Sequence, residues 1–219
     1  RWVNEATPYS RKTTDGLSQF EAYNAGALID QFGTHDFYHK SKLVPGVETL
    51  PWFLRFMDSW FEKFGGVTAG YAKQNDRNVL EEKNGIKLAP AICYESIYGD
   101  FLRHYVKKGA NLITIITNDG WWKNTPGHIQ HFHYAKLRAI ETGCWVARSA
   151  NTGISGFINP KGAVIEAKGY GEAASLKQTI SLTTNAPTFY VQHGDWLFQL
   201  MLSLTIIILL NSLFLKFRQ

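Results

Sequence analysis

At 219 residues, with 45% hydrophobic and 14% aromatic content, the chain can build one sizeable domain and is not a disordered tail. Its formal charge of +5 is spread over basic residues mixed with acids. There is no Lys/Arg block and no nucleic-acid motif, so a membrane surface suits it better than DNA or RNA.

The chain opens at Arg1 rather than a methionine, shows no signal-peptide pattern, and reads as a fragment entered mid-domain. Residues 1–19 read as loop. Residues 22–30 predict a half-buried strand, and Gly33-Thr34 a turn into Asp36-Phe37-Tyr38-His39-Lys40. Residues 41–51 form a loop. The aromatics at 52, 53, 56, 60, 61 and 64 suit an amphipathic helix or arm. A polar stretch, 75–82, leads to the central feature: the apolar run 86–92 ending abruptly in Cys93-Tyr94-Glu95. Beyond it, Ile97, Phe101, Leu102, Tyr105 and Val106 recur at helical spacing up to Lys107-Lys108-Gly109. A strand, a sharp corner and a helix would put the Cys93 thiol near a helix N-terminus, where dipole and free amides favour a thiolate and can hold an oxyanion. A lone cysteine with no further support is more often a buried structural one.

Residues 111–117 predict a second strand, ending in Asn118-Asp119-Gly120-Trp121-Trp122, and 128–142 a helix. Residues 144–148 and 154–158 read as a strand pair around Asn151-Thr152-Gly153. A turn at 159–162 leads to a strand over 163–167. Strands alternating with two helices predict an α/β sandwich. The last segment differs in kind. Trp196 to Leu215 carries no charge and is followed by Lys216 and Arg218, the pattern of a membrane-spanning helix with an interfacial Trp and a basic flank. A buried core helix is the bland alternative.

Three further features point elsewhere and are weak. His128, His131 and His133 lack the i, i+4 spacing of helical metal ligands. Gly169-Tyr170-Gly171-Glu172 mimics a dinucleotide fingerprint outside any βαβ unit. Cys144 lies among apolar residues and reads as core. With two cysteines the chain has no disulfide framework.

Four stretches in order carry a resemblance: Tyr38-His39-Lys40-Ser41-Lys42-Leu43-Val44-Pro45-Gly46-Val47-Glu48, then Cys93-Tyr94-Glu95, then Asn118-Asp119-Gly120-Trp121-Trp122, then Leu137-Arg138-Ala139-Ile140-Glu141-Thr142-Gly143. The set resembles the nitrilase, or carbon–nitrogen hydrolase, superfamily. The Cys-Tyr-Glu triplet with a terminal apolar helix is similar to its membrane-bound branch, which N-acylates bacterial apolipoproteins. The resemblance implies an α/β fold, a nitrilase-like α-β-β-α sandwich incomplete at its N-terminus and followed by one transmembrane helix. Residues 1–190 would be the partial catalytic domain, and 191–219 the membrane helix with a short basic tail. It implies Cys93 as nucleophile and Lys40 as the family lysine. Glu48 would be a second essential glutamate, with Tyr94 and Glu95 the pair after the cysteine. The family's general-base glutamate lies well upstream of the lysine. Glu5 and Glu21 stand in no matching context, so the base and a bundle of N-terminal membrane helices are expected outside this chain, leaving the fragment inactive alone.

By the same resemblance, Cys93 would take an acyl chain from a phospholipid donor as a thioester and pass it to the N-terminal diacylglyceryl-cysteine of an apolipoprotein acceptor. The setting would be the bilayer of a bacterial inner membrane, with the catalytic domain on the periplasmic side. No cofactor, metal or nucleic acid is implied. Trp52, Phe53, Trp60, Phe61, Trp121 and Trp122 could line a lipid entrance. Two other readings stay open: a tethered amidase acting on a small amide, and a non-enzymatic membrane scaffold.

Overall fold

The fold is built around a six-stranded mixed sheet whose middle strands carry the apolar runs found in the sequence. The structure, a computed structural model, describes residues 1–7, 9–33, 35–49, 56, 70–82, 84–182 and 186–217. Most of the aromatic stretch 52–65, with Trp52, Phe53, Trp60 and Phe61, lies outside the described residues.

Strands β1 (Trp2–Val3), β2 (Arg11–Lys12) and β3 (Gln19–Phe20) form a small antiparallel sheet where the sequence reads as loop. Two-residue strands are too short to show a period, which is why the pattern misses them. β4 (Ala25–Ile29) and β5 (His35–His39) pair as an antiparallel ribbon. β6 (Leu80–Glu81) then flanks β7 (Lys87–Ile92), the strand that leads to Cys93. Helix α1 (Gly99–Lys107) crosses to β8 (Leu112–Thr117), and α2 (Pro126–Thr142) to β9 (Trp145–Ala150). β10 (Ser155–Ile158) and β11 (Val164–Lys168) complete the sheet in the order β11-β10-β9-β8-β7-β6. β7, β8 and β9 run parallel, and the remaining pairings are antiparallel.

The period-2 pattern divides the parallel strands between two faces. Ala89 and Ala91 of β7, Ile113 and Ile115 of β8 and Val146 of β9 are buried with Phe101, Leu102 and Tyr105 of α1 and with Phe132, Ala135 and Ala139 of α2. The alanines of β7 leave room for the α1 aromatics, and each large apolar side chain buried there contributes about 1.5–3 kcal/mol. Cys144 belongs to this core, as its neighbours suggest. On the opposite face the β4–β5 ribbon lies over Leu88, Pro90 and Ile116, with a cavity of about 410 Å³ between the layers.

A helical turn, α3 (Phe189–His193), returns to the body: Val191 is fully buried, and its carbonyl accepts from Arg103 Nη1 at 3.2 Å. After Gly194 the chain enters α4 (Trp196–Phe217). By length and composition, its stretch Trp196–Lys216 is enough to cross a membrane, with a mean hydropathy of 2.1 and none of that window buried. Within this chain the segment is therefore not the buried core helix of the alternative reading.

Candidate active site

A cavity of about 610 Å³ opens at the carboxyl ends of the parallel strands, lined by Ile92 at the end of β7 with Cys93 and Tyr94 after it, and by Ile116, Thr117 and Asn118 at and just past the end of β8. Ligands in open α/β sheets collect at that edge, because loops of different lengths leave the strand ends there. Lys40, Val44, Val47 and Glu48 form the facing wall, with Asn24, Tyr71, Trp121 and Trp122. The walls are thus mostly apolar, with a thiol, an ammonium and a carboxylate set among them.

Each of these groups is placed by a definite local device. Lys40 follows β5, and its backbone N–H bonds the Asn24 carbonyl at 2.8 Å, extending the ribbon by one pair. Its side chain is 1% exposed, unusual for a lysine. The Nζ donates to both Glu48 carboxylate oxygens, at 2.9 and 2.8 Å. Glu48 also accepts from the Val44 backbone N–H at 2.7 Å and from the Asn24 side-chain amide. Three donor groups therefore make four hydrogen bonds to one carboxylate, which fixes the ammonium in the cavity wall.

Cys93 is half-buried and takes a left-handed backbone conformation, φ 53°. A non-glycine residue in that region is strained by about 1–3 kcal/mol and persists only where its surroundings hold it. Here a single 3-10 turn, Cys93–Ile97, follows β7 directly. The thiol therefore sits at the head of this turn, and α1 begins only at Gly99. This corrects the expectation of a sulfur at an α-helix N-terminus. A carboxylate and an ammonium across the cavity stand where a helix dipole was expected.

Glu95 has a different location from the one its place beside Cys93 suggests. It is fully buried and is absent from the described cavity wall. One oxygen, Oε1, accepts from the Tyr38 hydroxyl (2.7 Å) and from the backbone N–H groups of Ser41 (2.7 Å) and Lys42 (2.9 Å). The other accepts from the Ile92 N–H at 2.8 Å. Burial pushes its carboxyl above the usual range, and these donors pull it back in part. Glu95 thus ties the 38–42 segment to the turn that carries Cys93. Tyr94 does line the cavity and packs edge-on against Tyr98 at 5.3 Å.

Sequence reasoning missed a buried polar cluster beneath Cys93. The Cys93 carbonyl accepts from Ser96 Oγ at 2.8 Å, and His131 Nε2 lies 3.0 Å from the same hydroxyl. His131 Nδ1 is 2.9 Å from Asp119 Oδ1, and Asp119 Oδ2 accepts from Arg148 Nη2 at 2.6 Å. Burial alone would raise the Asp119 carboxyl, but the His131 hydrogen bond and the Arg148 charge hold it below its ordinary value. Gly153 is required beside it, since a Cβ there would collide with that carboxylate. Of the three histidines weighed as metal ligands, His131 belongs to this cluster and His128 stacks on Tyr170. No group of three potential ligands converges among the described residues. Cys93 and Cys144 are not joined in a disulfide.

A family model described as carbon-nitrogen hydrolase matches residues 2–187. The chain belongs to the carbon-nitrogen hydrolase family. Among curated carbon-nitrogen hydrolase relatives, the apolipoprotein N-acyltransferase of Rickettsia prowazekii is 35% identical over 196 residues, covering 89% of this chain and 38% of its own length. That of Agrobacterium fabrum is 34% identical over 190 residues, covering 85% of this chain and 35% of its own. The chain thus spans little more than a third of the length of these relatives. The fold is shared with Saccharomyces cerevisiae Nit3, a member of branch 10 of the nitrilase superfamily (TM-score 0.53, 18% identity, 75% of this chain and 54% of that one). It is shared also with the C. elegans NitFhit protein (TM-score 0.52, 21% identity, 74% and 38%).

Proposed function

We propose that this carbon-nitrogen hydrolase chain is the catalytic part of an acyltransferase that N-acylates bacterial lipoproteins. The observation that carries the reading is the shared cavity. A half-buried cysteine at a strained corner faces a Lys40–Glu48 pair across mostly apolar walls, in a chain that ends in an exposed apolar helix. The relatives named apolipoprotein N-acyltransferase support the same reaction class. The partial catalytic domain expected over 1–190 is drawn here to 193, because α3 packs on it through Val191, and α4 is the membrane helix, since lipid is the solvent that an apolar surface of this length fits. The basic flank at Lys216 favours a cytoplasmic C-terminus, with the body on the periplasmic side of the inner membrane.

In the first half-reaction the Cys93 thiolate attacks the ester carbonyl of a phospholipid. The C–S bond forms and the ester C–O bond breaks, and the proton that the Cys93 thiol gave up to the general base expected outside this chain goes to the lysophospholipid oxygen. In the second, the α-amino group of a diacylglyceryl-cysteine attacks the thioester. The C–N bond forms, the C–S bond breaks, and the proton lost by the amine passes through the same base to the departing Cys93 sulfur. Lys40 Nζ is the cation that stabilises the tetrahedral oxyanion. Glu48 holds that ammonium while also accepting from the Asn24 amide and the Val44 N–H. Tyr94, Trp121 and Trp122 give the acyl chain an aromatic wall. Glu95 acts by positioning the 38–42 segment.

The test uses the complete gene product with a phospholipid labelled in its acyl chain. Label should appear on Cys93 and be released by hydroxylamine. Cys93→Ala should abolish transfer, and Cys144→Ala should leave it largely intact. Equal losses in the two variants, or hydrolysis of small amides without acyl transfer, would overturn the assignment.

A further inference from the structure

Two short turns leave the carboxyl ends of β7 and β8, and both are strained. The first, Cys93–Ile97, follows β7, and the second, Asp119–Trp122, follows β8. Cys93 heads the first at φ 53°, and Lys123 closes the second at φ 50°. Among the described residues these are the two non-glycine positions with a left-handed backbone. Such conformations persist where surrounding groups hold them, and they gather at functional sites. Here one turn carries the thiol, and the other carries Trp121 and Trp122 of the cavity wall.

A single side chain spans the gap between the turns. His131 projects from α2 and is 2% exposed. Its Nε2 lies 3.0 Å from Ser96 Oγ and 3.3 Å from the Cys93 carbonyl, which itself accepts from that hydroxyl at 2.8 Å. These three atoms close a triangle on the backbone of the thiol's own residue. On the other side of the ring, Nδ1 is 2.9 Å from Asp119 Oδ1, at the head of the second turn. The imidazole also meets the Trp122 ring edge-on, with 5.1 Å between centroids. Trp122 has no slack behind it, since a Cβ at Gly127, in the first turn of α2, would stand 2.8 Å from its Cδ1. Helix α2 therefore grips the wall at Gly127 and both turns at His131. A shift of the imidazole would move the cysteine backbone and the wall by different amounts, because hydrogen bonds tie it to the first and packing to the second.

We propose that His131 is a positioning residue that sets the register between Cys93 and the Trp122 wall, so that an acyl chain lying on the wall brings its carbonyl to the sulfur. The inference rests on the reading of Cys93 as the nucleophile and of the cavity as the seat of the acyl chain. His131 is not among the residues that line the cavity, and it acts through Ser96, the Cys93 carbonyl and Trp122. Orientation of this kind raises the rate of the bound complex, and about 1 Å of misplacement can cost about 10²-fold.

The experiment needs no acyl transfer. The complete gene product is reacted separately with N-ethylmaleimide and N-dodecylmaleimide, and the two rates at Cys93 are read by peptide mass spectrometry. Both reagents meet the same thiol in the same state of ionisation, so their ratio reports how the sulfur is aligned with the apolar wall. A general loss of stability leaves that ratio alone, and the buried Cys144 should stay unlabelled in any folded variant. Wild type should favour the dodecyl reagent. His131→Ala should cut the preference about tenfold, and Ser96→Ala, which removes one hydroxyl from the turn, about threefold. A wild type without the preference, or a His131→Ala ratio equal to wild type with Cys144 protected, overturns the inference. Should His131→Ala expose Cys144, Ser96→Ala decides in its place, and an unchanged ratio there overturns it. In the transfer assay the folded variants should lose kcat with KM within about twofold of wild type, and a loss confined to KM overturns the positioning role. The expected ratios with no acyl label on wild-type Cys93 would instead refute the acyltransferase reading and leave His131's role standing.

Discussion

Glu48 and Glu95 occupy two regions that share the segment 38–42 yet use it in opposite ways. On the cavity side, Lys40 reaches out to Glu48, which still has part of its carboxylate in open space. On the core side, Tyr38, Ser41 and Lys42 turn their donors to Glu95, sealed from solvent. Each carboxylate receives four hydrogen bonds. The first binds a charge that can face a substrate, whereas the second binds the backbone that aims it. Equal hydrogen-bonding therefore does not mean equal roles, and substitutions should separate them.

The largest effect is expected at Glu95. Glu95→Ala strands the Tyr38 hydroxyl and three backbone N–H groups, and unfolding in denaturant should show a loss of about 3–5 kcal/mol. Activity should fall with it because the protein is no longer folded. Glu48→Gln should do the reverse. Acyl transfer should drop about 10²- to 10³-fold as Lys40 loses its anchor, with a stability change under about 2 kcal/mol. A Glu48→Gln protein that unfolds as readily as Glu95→Ala would erase the distinction. Tyr38→Phe removes one of the donors to Glu95 and should cost about 1.5–3 kcal/mol by the same denaturant measurement, with the transfer rate per folded molecule within a few fold of wild type.

How much of this was legible in the sequence follows from the same two residues. Lys40 and Glu48 were singled out by the family resemblance that their shared loop carries, and the structure pairs them, while the parallel strands could be read because their apolar runs are long. Glu95 looks equivalent to Cys93 and Tyr94 in a row of letters. The 3-10 turn separates them, since three residues per turn rotate successive side chains by about 120°. Cys93 and Tyr94 reach the cavity while Glu95 points inward. The Ser96–His131–Asp119–Arg148 cluster draws on the turn after β7, α2, the turn after β8 and β9. Folding alone brings those elements together, so no spacing in the chain announces it. Asn24 was likewise invisible until the β4–β5 ribbon set it beside Lys40.

The smallest effect is one of pH, and its sign is fixed by burial. Because desolvation raises the Glu95 carboxyl above its ordinary 4.5, the native state holds that proton to higher pH than the unfolded chain does. Stability from this group is thus fully present below about pH 4.5 and is lost as pH rises through its native value. Glu141, also raised by burial, has the same sign, whereas the lowered Asp119 acts below its ordinary 3.8, outside that window. The difference between wild type and Glu95→Gln isolates the Glu95 part, because distant groups cancel. Glutamine can keep the three donors at Oε1 but would turn an amide N–H₂ toward the Ile92 N–H, so the variant should be less stable by about 1–3 kcal/mol. That deficit should shrink as pH rises from 4.5 towards 7, since only the wild type carries the ionisation penalty. A deficit that grows with pH in unfolding experiments would mean that the four donors outweigh burial, and that Glu95 is held as firmly in its charged form as the carboxylate across the segment.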